Sequence, residues 1–301
     1  MQRFAVIDLG TNTFHLLIVE QDPGGGFVEL KRVHEFVKLA EEGIATIGKA
    51  AYERGIRTIV DFQNCLEEYG VKKMRAFGTA ALRTASNGAG FIREVEALTG
   101  IAVQMIPGEE EARLIHLGVA QAIPAFSQRA LIMDIGGGSV EFILADDREV
   151  FWARSFPIGV AVLYKVFHHS DPISAVEVEI VREHLADMLG PLREMIQQYP
   201  TTMLIGASGT FDVLEVAIEA ERISPHHSRF PAQAFYPFFR KLLPSTVADR
   251  LAMPEVPNDR AEMIIVALIL VDYVLNLAPF RDVHVSRYAL KEGMLVELMR
   301  E

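Results

Sequence analysis

The sequence predicts an α/β protein made from two copies of one unit. Residues 4–20, FAVIDLGTNTFHLLIVE, read as two short apolar strands around a polar turn containing Gly10 and Asn12, and residues 131–145, LIMDIGGGSVEFILA, have the same form. A shift of 126 positions lays Asp8 on Asp134, Gly10 on Gly136 and Thr13 on Ser139, while Leu16, Leu17 and Ile18 meet Phe142, Ile143 and Leu144. Each hairpin is followed by further strands and then helices, and 301 residues exceed the usual size of one hydrophobic core, so two domains are expected.

The elements follow in order. Tyr52, Ile56, Ile59, Val60 and Leu66 recur at helical spacing, and Gly70 closes that helix as its C-terminal cap. A strand at 74–77 comes next. Asn87 is placed to cap a short helix carrying Phe91, Val95 and Leu98, and 101–106 returns as a strand before Pro107 and Gly108. A helix spans about 109–122, and Pro124 marks the boundary between domains at 1–124 and 125–301. The second half carries a strand at 203–205 and helices near 174–197, 209–222, 233–243, 258–277 and 288–300; residues 224–231, SPHHSRFP, are the most loop-like stretch.

Composition narrows the function. The formal charge of −11 argues against broad nucleic-acid binding, which needs an excess of Lys and Arg, so no DNA partner is expected and any polyanion must be held by a local site. The longest apolar run, 263–271, falls far short of the roughly 20 residues a membrane span needs and reads as a buried helix. No secretion signal opens the chain, and the lone cysteine, Cys65, forms no internal disulfide; a reducing cytoplasm is the expected compartment.

A strand ending in Asp-x-Gly before a glycine- and hydroxyl-rich turn presents backbone N–H groups as an anion nest, beside a carboxylate able to hold a hydrated divalent cation. Gly136-Gly137-Gly138 alone would equally fit a tight hairpin bend, but two equivalent turns point to phosphate. A third small-residue turn, Gly206 to Thr210, falls between a strand and a helix, where Ser208, Gly209 and Thr210 offer either phosphate-binding amides or an ordinary connection. Glu109, Glu110 and Glu111 complement a helix N-terminus. Of these, Glu111 shares a face with Leu114, Ile115 and Gly118 and so points inward, where a carboxylate serves as a general base for water. Arg83 follows a small-residue turn and reads as a phosphate clamp or as a surface arginine. Lys38, Lys72, Lys73, Arg75, Arg229, Arg240 and Lys241 are scattered bases available to a polyanion.

The ordered segments IDLGTNTFHLLI, GTAALR, IPGEEEARLIHLGV, MDIGGGSVEF, IGASGT and SRYALKEGML resemble the motifs of the exopolyphosphatase / guanosine pentaphosphate phosphatase family over nearly the whole chain. The resemblance implies two ribonuclease-H-like domains of the actin and sugar-kinase type around a cleft, with a terminal helix at about 287–301 packing back on the first domain, magnesium-dependent hydrolysis of polyphosphate or guanosine pentaphosphate, and a homodimer. It puts the catalytic glutamate on Glu111 and a phosphate-contacting arginine on Arg83. The phosphate loops fall on Asp8, Gly10, Thr11, Asn12 and Thr13 and on Asp134, Gly136, Gly137, Gly138 and Ser139. Asp134 and Glu141, with Asp8, are the positions expected to hold magnesium. Two alternatives on the same fold are a slow nucleotide or alarmone sensor and a sugar- or acid-kinase-like phosphotransferase.

Overall fold

The computed structural model describes residues 2–24, 26–123 and 128–301; the expected boundary at Pro124 lies outside them. The first sheet is built from β1 (Arg3–Leu9), β2 (Thr13–Gln21) and β3 (Phe27–Phe36) as an antiparallel meander. Beyond α1 (Lys49–Glu68), β4 (Lys73–Gly78) joins β1 in parallel; beyond α2 (Ala80–Thr84) and α3 (Gly88–Thr99), β5 (Val103–Met105) joins β4. The order β3-β2-β1-β4-β5 is ribonuclease-H-like, and α4 (Gly108–Ala122) ends this half.

The second half repeats the plan. The strands β6 (Ala130–Ile135), β7 (Val140–Ala145) and β8 (Val150–Phe156) form the meander, followed by α5 (Val160–Phe167), α6 (Ala175–Met188) and α7 (Gly190–Gln198). Parallel strand β9 (Met203–Ala207) leads into α8 (Gly209–Ala217). The hairpin β10 (Glu221–Ser224) and β11 (His227–Pro231), then α9 (Phe235–Leu242), α10 (Val247–Leu251) and α11 (Ile264–Leu275), precede β12 (Asp282–Ser286) and α12 (Leu290–Arg300). The order β8-β7-β6-β9-β12 matches the first sheet, with β11 and β10 added at its edge. The fold is thus two ribonuclease-H-like α/β units of the actin type around a cleft.

Both sheets are covered on both faces, which explains their uninterrupted apolar strands. In β1, Phe4 and Val6 face a layer made of α4 and α12, while Ala5, Ile7 and Leu9 face α1 and α3. In β6, Ala130 and Ile132 face that same helical layer, and Leu131, Met133 and Ile135 face the helices of the far side. The returning α12 therefore packs with α4 between the two sheets, against β1 and β4. Its partner layer beyond the second sheet contains α11, apolar on every side and buried at every residue but Tyr273, as such a helix must be.

Several elements depart from expectation. The helix near 174–197 breaks in two at Leu189, because Pro191 opens α7. The helix after Gly209 stops at Ala217, with Glu219 left-handed at φ +53°, and α11 begins at Ile264 rather than 258. Residues 224–231 are not a loop: β11 pairs with β12 and is flanked by the short edge strand β10, with Pro231 at its last position, where a missing N–H costs least. Asn87 precedes α3 without capping it; its amide instead accepts from the Ile47 N–H and donates to the Ile47 carbonyl, each at 2.9 Å. Leu98 of that helix is exposed. Gly70 does follow α1 with φ +62°, the left-handed residue its end requires. Among the described residues no helix is long and apolar enough to cross a membrane.

Candidate active site

The period of two along a strand decides which side chains meet. Asp8 continues the Phe4–Val6 face and Asp134 the Ala130–Ile132 face, so both carboxylates point from the strand ends toward the α4–α12 layer. Glu141 pairs with Asp134 in register and lies on the Ile143–Ala145 face, toward the same layer; in the first half His15 occupies its place opposite Asp8. The α4 helix presents its first turn there. Glu111 is buried while Glu109 is exposed, as the helical-face argument expects. Asp8, Glu111, Asp134 and Glu141 all line one cavity of about 570 Å³ between the halves.

The two turns are built alike. Gly10 N–H donates to the Thr13 carbonyl at 3.1 Å, and Gly136 N–H to the Ser139 carbonyl at 3.0 Å. The Thr11 and Asn12 carbonyls accept from Leu39 and Lys38, both at 2.8 Å, whereas those of Gly136, Gly137 and Gly138 accept from Val160, Ala161 and Gly159 at the start of α5. A trans peptide points its N–H opposite its C=O. The N–H groups of Asn12, Thr13, Gly137, Gly138 and Ser139 therefore face away from these straps, as anion nests do. The turns also touch: a β-carbon on Gly138 would lie 2.5 Å from Thr11 Oγ1, and one on Gly137 2.9 Å from Asn12 Cγ.

Burial dominates the electrostatics. It pushes Asp8 and Asp134 each up to about 6; Lys291 opposes this in both, and in Asp134 the nearby Ser208 hydroxyl does so more strongly. Burial and Asp134 push Glu141 up to about 7, despite hydrogen bonds from Ser155 and Ser139. The Ser155 Oγ donates to Glu141 Oε1 at 2.6 Å. Burial, then Glu141, holds Glu111 well above the usual carboxylate range, with Arg83 opposing. Arg83 Nη1 lies 3.5 Å from Glu111 Oε2 while donating to the Ile106 carbonyl at 2.5 Å; it sits behind Glu111 and outside the cavity wall.

The third turn reaches the same cavity with Ser208 and Gly209, but the Ser208 hydroxyl is already engaged. Ser208, at φ +70°, donates to the Ile135 carbonyl at 2.8 Å and accepts from the Ile135 N–H at 3.2 Å. Gly209 is covered by Arg260, whose Nη2 would lie 2.1 Å from a β-carbon there, and Thr210 is buried outside the cavity wall. The scattered bases do not line the cavity. Lys38 pairs with Glu262, Arg75 with Glu297 and Glu301, Arg229 with Glu221 and Lys241 with Glu255. Its cations are instead Arg32, Arg260, Arg287 and Lys291; His15 and His34 also line it. Single residues from distant elements leave no local signal in sequence; Arg287 and Lys291, both within SRYALKEGML, were the two cations that stood in a visible motif.

The donors suit a hard divalent cation. Asp8 Oδ1 and Glu111 Oε2 are buried without a hydrogen-bond partner, and the set is all carboxylate oxygen. Among the described residues no three acidic or histidine side chains converge to enclose an ion. Magnesium does not require that, since it keeps several waters and takes one or two carboxylates plus phosphate oxygens.

Residues 17–301 match the sequence profile of the Ppx/GppA phosphatase family. The crystal structure of an exopolyphosphatase from Cytophaga hutchinsonii is 36% identical, covers 99% of this chain and 98% of its own, and superposes with a TM-score of 0.94. The Aquifex aeolicus family member, 23% identical over 98% of this chain and 97% of its own, shares the fold at a TM-score of 0.82. Exopolyphosphatase 1 of Mycobacterium tuberculosis (strain H37Rv) is 28% identical over 300 residues, 98% of this chain and 87% of that protein. With its duplicated sheets and the buried carboxylates between them, the chain belongs to the Ppx/GppA phosphatase family.

Proposed function

We propose that this chain hydrolyses the terminal phosphoanhydride of inorganic polyphosphate and releases orthophosphate. The observation that carries the reading is a buried glutamate, Glu111, aimed into a cavity that two facing anion nests border. The family membership, and the names of the relatives just described, support the same chemistry.

In this mechanism the terminal phosphate rests on the N–H groups of Asn12, Thr13 and Gly137 to Ser139. Glu111, made basic by burial and oriented by Arg83, accepts a proton from a water. The water oxygen forms a bond to phosphorus as the bridging P–O bond breaks, and the electron pair leaves on the shortened chain. One or two of Asp8, Asp134 and Glu141 would hold magnesium, which when bound would neutralise phosphoryl oxygens. The protein's own contribution is positioning and preorganised charge. Residues 1–124 and 125–301 would act as hinged domains, with α12 carried back onto the first, closing to exclude water.

Guanosine pentaphosphate presents the same terminal anhydride, so the test offers both substrates. Phosphate release with magnesium is measured for wild type and Glu111→Gln on short polyphosphate, long polyphosphate and guanosine pentaphosphate. Release lost in the variant supports the reading; equal release from both proteins sinks it.

A further inference from the structure

Of the cations among the described residues that line the cavity, one is not held in an ion pair. Lys291 stands in the first turn of α12 and lines the cavity. A lysine there opposes the helix dipole, so helix stability does not account for it. Its cationic neighbours are committed: Arg32 to Glu29 and Glu292, Arg260 to Asp259, Arg287 to Glu215. Among the described residues no carboxylate lies within ion-pair distance of the Lys291 ammonium.

Its backbone is anchored. Glu292, fully buried, accepts from the Ala289 N–H at 2.9 Å and from Arg32 at 3.0 Å, anchoring the start of α12. The close crossing of α12 with α4 then sets Lys291 relative to Glu111. Gly118 abuts Ala289 and Gly293, which flank Lys291, and Glu111 lies seven residues back along α4, so the two side chains reach the cavity from backbone positions at least roughly 10 Å apart at 1.5 Å per residue. Displacement at phosphorus is in line, so the leaving oxygen departs on the side away from the attacking water.

Resting on the polyphosphatase reading, we propose that Lys291 is a catalytic residue that binds the penultimate phosphate and stabilises the charge developing on the leaving chain. An ammonium in a secluded site stabilises such charge, and removal of one preorganised donor of this kind costs on the order of 10²- to 10³-fold in kcat.

The experiment compares wild type, Lys291→Met and Lys291→Arg on tripolyphosphate with magnesium, together with calorimetric binding of pyrophosphate, the leaving group, and of orthophosphate. Thermal melts establish folding, and Lys291→Gln replaces the methionine variant should that one unfold. The expected result is a kcat loss of roughly 10²- to 10³-fold in Lys291→Met, recovered to within about tenfold by arginine, with pyrophosphate binding weakened and orthophosphate binding kept. A folded Lys291→Met enzyme with wild-type kcat overturns the proposal, as does one that loses kcat yet binds pyrophosphate as wild type does. Should wild type release no phosphate from tripolyphosphate, the hydrolase reading fails, while the two binding constants still report whether Lys291 touches the penultimate phosphate.

Discussion

Gly118 and Gly293 stand face to face where α4 crosses α12. A β-carbon on Gly118 would lie 1.9 Å from the Ala289 carbonyl oxygen, and one on Gly293 1.9 Å from that of Leu114. Neither contact is with a flexible side chain, so the helices themselves must move apart. We expect Gly118→Ala and Gly293→Ala each to destabilise the fold by about 1–3 kcal/mol, the usual cost of overpacking a core. Each should also slow phosphate release more than lost stability explains, because Glu111 rides on one helix and Lys291 on the other. Denaturant melts and steady-state kinetics on the same preparations separate the two effects.

Glu111→Gln should abolish turnover, by roughly 10³-fold or more, without weakening the fold, since proton acceptance is lost but shape is kept. In metal-free protein its Tm should hold or rise: the substitution removes a buried charge beside Glu141 whose Oε2 has no hydrogen-bond partner. A large fall in Tm would show that Glu111 is structural.

Magnesium binding should be pH-dependent in a stated direction. Asp8 and Asp134 are pushed up to about 6 and Glu141 to about 7, above their unfolded values near 4. Raised carboxyl groups make the folded state bind more protons between those limits, so their contribution to stability falls as pH rises through this window. Histidines such as His284, held down to about 4, contribute in the opposite sense, so the metal-induced increment isolates the site. The rise in Tm on adding magnesium should be small at pH 5.5, grow between pH 6 and 7, and level off above about pH 7.5, because the ligands must first lose protons. An increment independent of pH would count against these carboxylates as the ligands.

Ser155→Ala removes the 2.6 Å hydrogen bond to Glu141. Stability should fall by only about 1 kcal/mol. Glu141 should titrate still higher, moving the magnesium transition upward in pH; carboxyl NMR titration and the melts just described would detect it.

The parts of the site that lie in short local patterns were legible. Asp8 and Asp134, the two turns and the inward face of α4 each follow from spacing within one hairpin or one helix. What joins them was not. Ser155 meets Glu141 only through the register of β7 with β8, and Arg32 meets Glu292 across 260 residues of chain. The same limit explains the edge hairpin at 221–231: its proline and paired histidines look like a loop until β12, fifty residues on, supplies hydrogen-bond partners. Bases such as Lys38 and Arg229 looked available because their acidic partners are far apart or unremarkable in sequence.

The contact between the two turns bears on how a duplicated protein ages. Thr11 and Asn12 press into space left by the absent side chains of Gly137 and Gly138. At the matching positions one copy carries substituents and the other has none. The halves began as interchangeable and are so no longer: a chimera with the first turn in both places would bring threonine and asparagine against threonine and asparagine, where there is room for one set. A change in either turn is therefore felt by the other, so the twofold likeness holds in the strands while the centre of the molecule is asymmetric.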